Sequence, residues 1–105
     1  MKRLLIAAAL VALAVPAVAT SATSERATKR VSAYNNYFTP KKVTVRKGTK
    51  VVWTIRQGVH EVDGGYFESP YLSKGKTYTK KFKRSGVIRY HCEIHPGMTG
   101  KVIVR

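Results

Sequence analysis

From Val31 to Val104 apolar side chains recur at every second position, and Gly or Pro interrupts the pattern every few residues. Val43 and Val45 alternate with Lys42, Thr44 and Arg46. Val51, Trp53 and Ile55 alternate with Lys50, Val52 and Thr54. Ile88, Tyr90 and Cys92 share one parity, while Arg89 and His91 take the other. Successive side chains of an extended strand point to opposite faces, so this period commits the chain to half-buried strands. Amphipathic helices would need a period near 3.6. Lys47-Gly48, Asp63-Gly64-Gly65 and Ser85-Gly86 supply turn chemistry between the strands. Tyr78 and Phe82 face one way from a strand over 77–83, although Lys80 falls on the same side. About six or seven short strands at this spacing predict an all-β fold, an antiparallel β-sandwich.

The first thirty residues have a different character. Lys2 and Arg3 precede an apolar run from Leu4 to Val15, Pro16 ends it, and Ala17-Val18-Ala19 offers small residues for a signal peptidase. That order predicts a cleavable signal peptide over 1–19. The run is short of the roughly 20 residues that span a bilayer, so no transmembrane segment is expected once it is removed. Residues 20–29 are rich in Ser, Thr, Ala and charge and read as a flexible leader. Residues 30–105 are then one domain, which is all that a chain of 105 residues leaves room for. Export predicts an extracytoplasmic location, either periplasmic or secreted to the cell envelope.

An exported chain normally uses cysteines in pairs, yet this one has a single Cys92. Its neighbours suggest why. Cys92-Glu93-Ile94-His95-Pro96-Gly97-Met98 places a thiolate, an imidazole and a thioether on one short loop after a strand, and Pro96 and Gly97 let the backbone curl. Taken singly, a Met is usually packing, a Cys a small buried hydrophobe and a His a solvated side chain. Together, soft sulfur donors beside imidazole suit copper, and a plane of two His and one Cys with a weak axial Met is an electron-transfer arrangement. Zinc is the poorer choice because Met binds it weakly. The second imidazole is expected from His60, brought in from another loop. His91 should point to the opposite face from Cys92 and is left out of the set. The expected metal residues are therefore His60, Cys92, His95 and Met98, holding one copper ion.

These residues closely resemble the cupredoxin family of small blue copper proteins, the plastocyanin-, pseudoazurin- and amicyanin-like group. The likeness runs from about Tyr37 to Arg105 and includes Phe38, Pro40, Gly48, Trp53, His60, Gly86, Tyr90, Cys92, His95, Met98 and Gly100. It implies a Greek-key β-sandwich with a type 1 copper site at one end. It also implies one-electron shuttling, with His95 as the electron's exit. Two positions depart from the family pattern. Glu61 and Glu93 stand where relatives often carry Asn and Ser or Thr, whose hydrogen bond ties the two ligand loops. Two carboxylates there would repel: either they point apart into solvent, which is the favoured reading, or a basic side chain bridges them, or one is protonated. Glu61 as a ligand in place of Met98 is the minor alternative.

Cleavage after Ala19 removes Lys2 and Arg3 from a net charge of +15 and leaves +13. A cation about 15 Å from a redox centre shifts its energy by only about 0.04 kcal/mol after screening. The charge is therefore better read as recruitment of an acidic redox protein or an anionic envelope surface. Export argues against nucleic acid. With no candidate acid–base pair and no second metal constellation, no enzyme activity is expected. A monomeric electron carrier is the main expectation. Its rivals are a copper-delivery or copper-tolerance module and a purely structural sandwich without metal.

Overall fold

The computed structural model describes residues 28–105. Nine strands follow one another in this range: β1 (Thr28–Tyr34), β2 (Tyr37–Thr39), β3 (Lys42–Val45), β4 (Thr49–Ile55), β5 (Val59–His60), β6 (Leu72–Ser73), β7 (Thr77–Phe82), β8 (Gly86–His91) and β9 (Thr99–Val104). They form a four-stranded sheet in the order β2-β1-β4-β7, a three-stranded sheet in the order β3-β9-β8, and the small pair β5-β6. The fold is the expected all-β sandwich. It is not wholly antiparallel, however, because β1 pairs with β4 and β3 with β9 in parallel. The chain leaves the first sheet after the β1–β2 hairpin, contributes β3 to the second sheet, and returns as β4 beside β1. Parallel neighbours cannot be joined by a tight hairpin, and in each parallel pair the chain passes through other strands before it returns.

The first strand begins at Thr28, two residues before the expected domain start, so Thr28 and Lys29 belong to the sheet and not to the leader. The expected signal peptide over 1–19 and the rest of the leader lie outside the described residues. Among the described residues no helix is long and apolar enough to cross a membrane.

The alternating side chains meet between the sheets as the period requires. Val31, Ala33, Val51, Trp53 and Ile55 from the first sheet face Val43, Val45, Tyr90, Val102 and Val104 from the second, all buried. Trp53 is central, with ring centroids 5.2 Å from Tyr90, 5.9 Å from Tyr78, and 6.4 Å from Phe82 and from Phe67. The pairs with Tyr90 and Phe82 are edge-on, a geometry that adds about 0.5–1.5 kcal/mol each beyond burial. Lys80, the residue that broke the stripe on β7, keeps its inward parity by laying its ammonium over the rings of Tyr66 and Phe67 at 5.3 and 5.5 Å. At Gly100 a Cβ would collide with the Tyr90 ring, so the glycine is what allows β9 to lie against β8 there.

Candidate metal centre

The centre is built where β8 runs out. Its inward parity delivers Tyr90 and then Cys92 to the core side, both buried, while Arg89 and His91 stay exposed. Beyond Cys92 the backbone closes on itself. The N–H of His95 donates to the Cys92 carbonyl (3.3 Å), that of Met98 to the His95 carbonyl (3.0 Å), and that of Cys92 to the Met98 carbonyl (3.0 Å). Gly97, with φ of 85°, makes the curl possible. Seven residues therefore form one tight loop carrying Cys92, His95 and Met98, with Met98 fully buried.

His60 comes from β5, and three hydrogen bonds hold its segment against the end of β8. Asp63 and His91 exchange backbone N–H···O bonds of 2.9 Å in both directions. The third bond runs from the Glu93 N–H to Glu61 Oε1 at 3.1 Å. This last contact corrects the expectation that Glu61 and Glu93 point apart into solvent. Glu61 is buried and its carboxylate ties the two loops, because an acceptor oxygen at that position meets a backbone donor whatever side chain residue 93 carries. Only Glu93 is exposed. Burial, opposed in part by the Glu93 N–H and reinforced by Glu68 and Glu93, pushes the Glu61 carboxyl up to about 7. Carboxylate oxygens of Glu61, Asp63, Glu68 and Glu93 all lie within 4.8 Å of one another.

His60, Cys92 and His95 converge. His60 Nδ1 and His95 Nδ1 are 3.1 Å apart, Cys92 Sγ is 3.4 Å from His95 Nδ1, and Cys92 Sγ is 3.9 Å from His60 Nδ1. A point equidistant from the three atoms lies about 2.0 Å from each, the length of a metal–imidazole bond and a little under a metal–thiolate one. His60 Nε2 sits 2.7 Å from the Gln57 carbonyl. A carbonyl can only accept, so Nε2 carries the proton and Nδ1 turns a lone pair to the centre of the triangle. Burial, opposed in part by the hydrogen bond to Gln57 and aided by His95, holds the His60 pKa below its usual value, which favours the neutral ring. The donor set fits a copper ion of the thiolate–imidazole kind. Glu61 is engaged with the Glu93 N–H, which argues against it as the alternative donor.

Some residues of the centre carried no sequence signal. Gln57 acts through its backbone carbonyl, which any residue possesses. Its side chain accepts from the Asn35 N–H at 3.1 Å and so anchors the loop leading to His60. Gly58 has φ of 72°, and a Cβ there would meet Asn35 Oδ1 at 2.6 Å and His60 Nε2 at 3.3 Å. His91 points away from the triangle, as its parity required, with Nε2 3.8 Å from Asp63 Oδ2.

Comparison with known proteins agrees with this geometry. A model of copper-binding proteins of the plastocyanin/azurin family matches residues 26–105. Amicyanin from Paracoccus denitrificans is 37% identical over 76 residues, covering 65% of this chain and 57% of the relative. Amicyanin-alpha from Methylorubrum extorquens is 35% identical over 75 residues, covering 64% and 63%. The matched stretch thus spans about three fifths of these relatives. Among solved structures, a purple cupredoxin from Nitrosopumilus maritimus superposes with a TM-score of 0.69 at 26% identity, covering 73% of this chain and 99% of that one.

Proposed function

Since the chain belongs to the plastocyanin/azurin family of copper-binding proteins, we propose that it is an exported, monomeric one-electron carrier and not an enzyme, its single type 1 copper held by His60, Cys92, His95 and Met98. The observation that carries this reading is the triangle of His60 Nδ1, His95 Nδ1 and Cys92 Sγ, with the His60 tautomer set by the Gln57 carbonyl. Copper held there supplies Cu(II)/Cu(I) chemistry. The chain's own residues do the rest. Backbone hydrogen bonds within the Cys92–Met98 loop and from His60 to the Gln57 carbonyl hold Cys92 and the two imidazoles in place, which would limit reorganisation when charge changes at the centre. Met98, buried on the same loop, would supply a weakly held thioether. His60, Cys92 and Met98 are buried and His95 alone among the four is partly exposed. His95 is therefore the residue through which an electron would leave for a partner.

That burial also favours a carrier over a copper-delivery protein, which needs ligands within reach of an acceptor. The two readings separate in one experiment. Copper-loaded protein is mixed with a metal-free copper acceptor, and self-exchange of the electron is measured in parallel. Fast self-exchange with copper retained supports the carrier, and transfer of copper on the same timescale supports delivery. In Met98→Gln the reduction potential should fall and the visible spectrum should change, while an unchanged potential would make Met98 packing. We propose an extracytoplasmic location, consistent with the apolar run at the N-terminus. The strongly positive charge supports an anionic partner, an acidic redox protein or an envelope surface, and the placement of the charges bears on which.

A further inference from the structure

The acidic charges of the described residues are gathered at one end of the sandwich, while cations occur at both. β8 runs from Gly86 to His91 and ends at Cys92, so Gly86 marks the end opposite the metal centre, about 20 Å away at the rise of an extended strand. All the acidic side chains among the described residues, Glu61, Asp63, Glu68 and Glu93, belong to the one cluster beside the centre. The opposite end has none. There the turns of both sheets gather Lys47, Lys50, Lys81, Lys83, Arg84 and Arg105, all exposed. Backbone bonds knit them into one face: Lys47 N–H to the Arg105 carbonyl at 3.0 Å, Gly48 N–H to the Phe82 carbonyl at 2.6 Å, and Arg105 N–H to the Val45 carbonyl at 2.9 Å.

Edge protection explains only part of this. β7 is an edge strand and lysines there discourage pairing with another chain. Lys47, Lys83, Arg84 and Arg105 lie in turns or at the chain end, and Lys50 lies on the interior strand β4. Lys50 and Lys81 are direct partners in the ladder, an arrangement of like charges that costs stability. None of these cations has an acidic partner among the described residues. Val87, 56% exposed, adds an apolar side chain beside the face.

We propose that this basic pole is a docking surface for an anionic phospholipid bilayer. The proposal goes beyond the carrier reading and does not depend on the metal. Two observations favour a bilayer over an acidic protein. Lys81, Lys83 and Arg84 line a groove with Lys80, Tyr66 and Val87, but Lys47, Lys50 and Arg105 lie outside it, so the cations spread across the ends of both sheets, which suits a plane of phosphate headgroups. An acidic redox partner would have to approach the metal centre, where the acids are. Docked this way, the molecule holds His95 and the acidic cluster away from the membrane and towards the aqueous phase.

The test is sedimentation of the purified chain from Thr20 to Arg105, the form that signal cleavage leaves, with large unilamellar vesicles of 70% phosphatidylcholine and 30% phosphatidylglycerol, against vesicles of phosphatidylcholine alone. Three variants are compared: Lys47→Glu/Lys83→Glu/Arg84→Glu at the pole, the milder Lys47→Gln/Lys83→Gln/Arg84→Gln, and a control with the same charge change near the centre, Lys41→Glu/Lys74→Glu/Lys76→Glu. Circular dichroism checks that each is folded, and the Gln variant serves if the Glu variant is not. Each basic residue near an anionic bilayer contributes roughly fivefold in partitioning, so the pole variants should bind about 100-fold more weakly. The control should keep most of its affinity, and binding of the unaltered protein should fall as salt rises. Equal losses in pole and control variants would overturn the proposal. So would equal binding to neutral vesicles, which would show that charge does not drive the association. Pole-dependent binding to polyglutamate without binding to vesicles would overturn it in favour of an acidic protein.

Discussion

Glu61 shows how much one side chain can carry at this site. Its Oε1 accepts the Glu93 N–H and joins the two halves of the metal centre, yet its carboxyl is buried among other acids and sits at about 7. An acid whose folded pKa is raised above its unfolded value of 4.5 costs stability once it ionises. The penalty is absent below pH 4.5, grows as pH rises between 4.5 and 7, and is complete above 7. Gln at this position keeps an acceptor oxygen and has no charge. Glu61→Gln should therefore stabilise the metal-free protein by on the order of 2 kcal/mol at pH 8 and leave it nearly unchanged at pH 4.5. Urea denaturation at the two pH values measures this. Equal effects at both would mean that the carboxylate is not the source of the penalty. The sequence identified Glu61 as an odd residue beside His60 but assigned it to solvent. The error is physical: charge repulsion is visible from residue types, whereas the backbone donor that compensates it is contributed by position 93 through an N–H common to all residues but proline.

At the scale of elements, the centre is a junction between the end of β8 and the 57–63 segment, and the two halves were not equally legible. The Cys92–Met98 loop could be read directly, since thiolate, imidazole and thioether at short spacing after an alternating strand converge on copper chemistry. His60 could be named but not placed, because the bonds that bring it in are backbone contacts of Asp63 with His91 and a carbonyl of Gln57. The parallel pairings of β1 with β4 and β3 with β9 were likewise hidden, since a period of two says which face a residue takes and nothing about strand direction. The 57–60 turn is the weak point of the junction. Gly58→Ala forces a methyl against Asn35 Oδ1 and towards His60 Nε2 at a positive φ. It should destabilise the fold by about 1–2 kcal/mol. By loosening the bond from His60 Nε2 to Gln57, it should also weaken copper binding about tenfold or more. Competition with a chelator of known affinity checks the second effect, and an unchanged affinity would mean that the Gln57 carbonyl does not position His60.

For the whole molecule, metal and fold are linked. The ligands come from two segments far apart in sequence, so the unfolded chain has no comparable site, and copper at a hundred times its dissociation constant should stabilise the fold by about 2.7 kcal/mol. For a domain of this size each kcal/mol raises the melting temperature by about 4–8 °C. Copper should therefore lift it by roughly 10–20 °C, an increment that thermal denaturation with and without the metal would detect. A melting temperature insensitive to copper would mean that the four residues do not act together. The central claim has a more direct test. Copper(II) is titrated into the metal-free protein while visible absorption and electron paramagnetic resonance spectra are recorded, beside the Cys92→Ser variant. The predicted result is an intense thiolate-to-copper band that saturates at one copper per chain and is absent from Cys92→Ser. A protein that stays colourless, or a band that survives loss of the thiol, would contradict the assignment of Cys92 and its neighbours to a type 1 copper site.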